Sequence, residues 1–174
     1  TYIKRNILRN FNVQVVLTQH GMGRHSTDKK IHMYADIDKL FLNGKNLITN
    51  DGDLFYAQRA SSETPTNNFA SANGRQELGN GTQGTPNKTN TYSALVTPIV
   101  ASRKAIDATY PKTNDGDSDN TGAGTDIVTW LTSWTKTDFN ATGISGGVVH
   151  NASTSPVAGS VLLTYWTITA FDKT

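Results

Sequence analysis

The chain has 174 residues, no cysteine and a formal net charge of +2. That length suits one domain with a proper core. The missing thiols exclude a disulfide framework, a Cys-ligated zinc site and thiol catalysis. Mean hydropathy is −0.45, and no apolar run approaches the roughly 18 residues of a membrane helix, so no membrane partner is expected.

The charge is uneven. Residues 1–45 carry +5 and the remainder −3. A basic N-terminal third suits an acidic partner, but its charges are scattered, and a solvated basic face is the first reading; direct nucleic-acid contact is not expected. Residues 1–10, with Lys4, Arg5 and Arg9, read as an N-terminal arm of a single domain spanning 1–174.

In "FNVQVVLT" (11–18), Phe11, Val13, Val15 and Leu17 alternate with polar residues, which predicts a half-buried strand. Weaker strand signals follow at 30–35 and 39–42. "NDGDLFYAQRASSE" (50–63) predicts a short helix, with Asn50 or Asp51 as cap and Leu54 and Ala57 on one face. The polar stretch 61–92 is rich in Gly, Pro, Asn and Thr and reads as an extended loop or arm. Phe69 and Leu78 are its large apolar residues, suited to pin it to the core or to meet a partner.

Further weak strand signals lie at 93–97 and 99–109, divided by Pro98, which belongs at an edge or bulge. "IVTWLTSWT" (127–135) places Val128, Trp130, Thr132 and Trp134 on one face. A strand is also predicted at 144–149. "VLLTYWTITAF" (161–171) is β-branched and aromatic nearly throughout and predicts a central strand. Together these give a mainly β fold, an antiparallel β-sandwich or jelly-roll-like domain with one short helix and long polar loops.

Residues 113–126, "TNDGDSDNTGAGTD", invite a calcium reading. Counted from Asp115, Asp117 falls at position 3, Asp119 at 5 and Asp126 at 12, the oxygen-ligand slots of an EF-hand loop. Position 6 is Asn120 where Gly is wanted, and a strand follows where a helix should. An EF-hand is excluded. A polar turn leads, with a different kind of calcium loop as the second reading.

Other chemistry is sparse. His20, His25, His32 and His150 lack metal-binding helical spacing and read as loop or edge residues. No nucleophile elbow, phosphate loop or dinucleotide fingerprint is present. Glu63, Glu77, Asp107 and Asp138 are the acids left for a carboxylate pair, and spacing does not pair them. The three tryptophans read as core before sugar platform. Enzymatic activity is not expected.

The order "NLITNDGDLFYAQRA" (46–60), "ELGNGT" (77–82), "YPKTNDGDSDNTGAGTDIVTW" (110–130) and "DFNATGIS" (138–145) resembles a group of tailed-bacteriophage structural proteins. The likeness spans roughly residues 46–171 and rests on segment order and Gly/Asp-rich junctions. It implies a multi-copy virion protein, foremost a capsid decoration (cement) protein. Its partners would be the major capsid protein and copies of itself, with a homotrimer favoured. Partner contacts are then expected from Lys4, Arg5, Arg9, Phe69 and Leu78. A tail component and a carbohydrate-binding adhesin are the competing readings.

Overall fold

The computed structural model describes residues 13–20, 31–34, 44–70, 73–114, 127–135, 137–151 and 156–173. Their architecture is mainly β and antiparallel, with one α-helix. The larger sheet has five strands in the order β3 (Gly44–Ile48), β9 (Leu162–Lys173), β8 (Ala141–His150), β4 (Arg75–Asn80) and β5 (Lys104–Ala105). The smaller has four, in the order β2 (Ile31–Tyr34), β1 (Val13–His20), β7 (Ile127–Trp134) and β6 (Lys112–Asn114).

One core joins the two sheets. Trp130 and Trp134 of β7 share it with Leu78, Ile144, Val149 and Trp166 of the larger sheet and Phe55 of the helix. This arrangement is consistent with the expected sandwich. The strands predicted at 127–135, 144–149 and 161–171 are present, and β9 lies inside its sheet. A second cluster, Tyr92, Leu95, Val148, Leu162 and Tyr165, covers the sheet's opposite face.

A missing side chain on β8 makes room for the Trp166 ring. A Cβ on Gly147 would stand 2.5 Å from Trp166 Cζ2 and 2.8 Å from the Glu77 carbonyl oxygen. The Trp166 indole therefore lies against bare β8 backbone, a use of strand glycine that propensity scales count as a defect.

Helix α1 (Asn50–Ala60) forms where predicted, but its cap is Thr49, one residue before the expected Asn50 or Asp51. The Thr49 hydroxyl accepts from Gly52 N at 3.2 Å and donates to the Leu162 carbonyl, so one side chain starts the helix and ties it to β9. The inner face is also not the expected one. Gly52 and Phe55 are buried while Leu54 and Ala57 are exposed. Gly52 faces β9 so closely that a Cβ there would meet Leu163 O at 2.2 Å.

The extended loop expected over 61–92 is corrected. It contains β4, an inner strand that pairs with β8 along its length. Its buried residues are Gln76, Glu77, Leu78 and Gly79, with one large apolar side chain among them, so hydrophobic alternation could not reveal it. Phe69 and Leu78 are fully buried in the core: they pin this segment and present no surface to a partner. The strand signals at 93–97 and 99–109 are also corrected. Short 3-10 turns form at Tyr92–Ala94 and Val100–Ser102, followed by the two-residue β5. This covering segment bonds to the sheet locally, Leu78 N to Ser102 Oγ at 2.8 Å and Ile99 N to Leu78 O at 2.8 Å. The expected strand at 39–42 lies outside the described residues.

Candidate functional site

The densest concentration of ionisable chemistry lies between the larger sheet and its covering segment. In β4, Leu78 faces the inter-sheet core and Glu77 the opposite side, opposite Val148 of β8. His150, two residues further along β8, faces the same way. The covering segment supplies Tyr92 and Arg103 from above. Glu77 and His150 are fully buried.

Four hydrogen bonds converge on the Glu77 carboxylate. Oε1 accepts from Tyr92 OH at 2.9 Å and from Arg103 Nη2 at 3.1 Å. Oε2 accepts from Arg103 Nε at 2.7 Å and lies 3.2 Å from His150 Nε2. The Tyr92 and His150 rings meet edge to face, centroids 5.6 Å apart. Burial by itself raises the Glu77 pKa, yet the bonds from His150, Arg103 and Tyr92 outweigh it and hold the carboxyl below its ordinary range. Burial, reinforced by the Glu77 charge, pushes the Tyr92 hydroxyl up to about 12. At neutral pH the carboxylate is therefore ionised and the phenol is a donor.

A carboxylate offers about four lone-pair sites. Here all four are directed at protein groups, leaving no acceptor for a substrate proton. The cluster's chemistry is cross-linking: it fastens β4, β8 and the covering segment to one another. His150, expected at a loop or edge, is corrected to a buried member of this network. Tyr92 and Arg103 carried no sequence signal, since the fold brings them to Glu77 from 15 and 26 residues away.

Asp107 and Asp138 have their own partners, and Glu63 is exposed. Asp107 accepts from Ser133 Oγ at 2.6 Å and from its backbone N–H at 3.3 Å. Asp138 accepts from Lys104 Nζ at 2.7 Å and from Thr135, and these bonds, the lysine's first, lower its pKa to about 2. Trp130, Trp134 and Trp166 are 2%, 1% and 0% exposed, so they are core and no sugar platform. Trp130 Nε1 donates to Tyr56 OH at 2.9 Å beneath an open recess of about 470 Å³ edged by Arg59 and Tyr110.

The expected calcium ligands Asp115, Asp117, Asp119 and Asp126, and the basic Lys4, Arg5 and Arg9, lie outside the described residues. Among the described residues no group of three His, Asp or Glu side chains is placed to hold a metal ion. Comparison with protein-family models, curated proteins and solved structures found no match.

Proposed function

We propose that this chain is a structural protein of a tailed-phage virion, acting as a capsid decoration protein that bridges neighbouring major-capsid subunits. The supporting observation is where the resembling segments fall. Residues 46–60 form most of β3 and all of α1, 77–82 supply the last four residues of β4, and 138–145 the first half of β8, while the described parts of 110–130 lie on the smaller sheet, in β6 and the start of β7. All four segments, separate in sequence, contribute to the core that the two sheets share, through Phe55, Leu78, Trp130 and Ile144.

The role is passive. The domain's buried charges are spent on internal cross-links, which suits a protein that must hold its shape while neighbouring subunits strain against it. Contacts with the capsid are assigned to exposed apolar positions on the covering side, Val96, Val100 and Val157, which are 39%, 64% and 70% exposed. A backbone bond from Ser93 N to Ala158 O at 3.1 Å places the Val157 turn beside the segment carrying the other two. Isolated exposed valines are ordinary; the reading rests on three of them falling in the covering segment and the turn bonded to it.

Quantitative mass spectrometry of purified virions, with the protein located by electron microscopy, tests this reading. The expected result is a copy number comparable with the major capsid protein and density on the head. A handful of copies, or density confined to the tail, overturns it.

A further inference from the structure

Three fully buried side chains carry polar atoms with no hydrogen-bond partner: Gln76 at both ends of its amide, Thr132 at its hydroxyl and Trp166 at its indole N–H. They come from three strands, β4, β7 and β9, that face one core. Gln76 pairs with Val149, and Gly147 pairs with both Leu78 and Trp166. Leu78, Val149 and Trp166 all belong to the inter-sheet core, so Gln76 projects into that core too. A Cβ on Gly147 would meet Trp166 Cε2 at 2.8 Å. Nε1 is bonded to that carbon, which puts the indole N–H over β8, next to the strand that bears Gln76.

Thr132 enters from the opposite wall. It alternates with Trp130 and Trp134 on the face of β7 that fills the same core. Trp134 Nε1 donates to Ser102 O at 2.7 Å, and Ser102 Oγ accepts from Leu78 N at 2.8 Å. This end of β7 therefore stands over β4, with Thr132 one strand repeat away.

We infer that the seam between the sheets is a binding site for internal water, about one or two molecules held by Gln76, Thr132 and Trp166. The Gln76 amide offers two N–H groups and a carbonyl oxygen, the hydroxyl one donor and an acceptor oxygen, and the indole one donor. None of these groups bonds to another, so a molecule between them is needed to carry the bonds. Water accepts from the indole N–H and returns protons to the amide oxygen and the hydroxyl. Native cores rarely leave buried polar atoms without a hydrogen-bond partner.

The test is a nuclear Overhauser measurement on the wild-type protein, reading transfer from water to each tryptophan indole proton. Its rotating-frame sign separates through-space transfer from proton exchange. The expected result is a water cross-peak at Trp166 and none at Trp134, whose indole is bonded to a carbonyl. Absence of the Trp166 cross-peak overturns the inference. In Gln76→Met, folded by circular dichroism, the cross-peak should fall several-fold; undiminished intensity removes Gln76 from the site. Should Gln76→Met fail to fold, Thr132→Val gives the same reading on the facing wall.

Discussion

Arg103 holds Glu77 through two nitrogens, at 2.7 and 3.1 Å, across 26 residues of sequence and at the boundary between a sheet and its cover. The carboxylate is fully buried while the guanidinium side chain is 11% exposed. Removing the arginine would leave a buried charge facing only a phenol and an imidazole. Arg103→Met is expected to destabilise the fold by about 3 to 5 kcal/mol, the range for breaking one partner of a buried pair. Urea titration of wild type and variant measures it. A loss under about 1 kcal/mol, the range of surface pairs, would show that the pair is solvent-screened.

The same cluster sets two limbs of a stability profile. Glu77 has a lowered pKa in the folded chain, so its contribution is complete above the unfolded value, near 4.3. It is lost as pH falls through the folded value. The Tyr92 hydroxyl moves the opposite way, to about 12. Its contribution is complete below its unfolded value of about 10 and declines as pH rises from there towards 12. Denaturation midpoints measured from pH 2 to 12 should fall at both ends. Tyr92→Phe should weaken the alkaline limb and, by removing one of the bonds that hold the Glu77 carboxyl down, move the acid limb towards higher pH.

How much of this was legible in the sequence depended on which residues carried each element. Strands β7, β8 and β9 declared themselves because Trp130, Val148, Val149, Tyr165 and Trp166 are β-formers in short runs. β4 stayed hidden because Gln76, Glu77 and Gly79 are poor strand signals, and each is buried for a tertiary reason. Glu77 meets Arg103, while Gly79 has the covering segment against it, with Leu95 Cδ1 2.6 Å from where its Cβ would be. The helix was readable from its acidic first turn, but the true cap was fixed by the Leu162 carbonyl, 113 residues away. The candidate site was not legible, since its four members lie on three segments that only the fold assembles.

Thr49 joins local and long-range order, so its loss should exceed that of an exposed cap. Thr49→Ala removes the bond to Gly52 N and the tie to Leu162. A loss near the top of the roughly 0.5–2 kcal/mol range for caps is expected, against less than about 0.5 kcal/mol for Asn50→Ala, an exposed position. Paired denaturation curves decide between them. Equal effects would restore Asn50 as the cap.

Gly147 gives a steric test. An added methyl would overlap the Trp166 ring and the Glu77 carbonyl, neither of which can rotate aside within a paired strand. Gly147→Ala should therefore cost about 1–3 kcal/mol and change the near-ultraviolet tryptophan signal. An unaltered signal with wild-type stability would mean that Trp166 does not rest on β8.

The proposed capsid contact predicts a loss of binding without a loss of fold. Val100 and Val157 project into solvent, so lysine at either position displaces nothing and should shift stability by less than about 0.5 kcal/mol. On a virion, each lysine would bring a charge into an apolar contact that has no partner for it, a several-kcal/mol penalty if fully desolvated. Val100→Lys and Val157→Lys together should keep the wild-type melting temperature yet reduce occupancy on decorated heads at least tenfold. Glu63→Lys, exposed and outside the covering segment, is the control for charge alone. Equal occupancy of the double variant and the control would remove this face from the contact. Full occupancy by both would leave the virion reading standing and move the interface elsewhere.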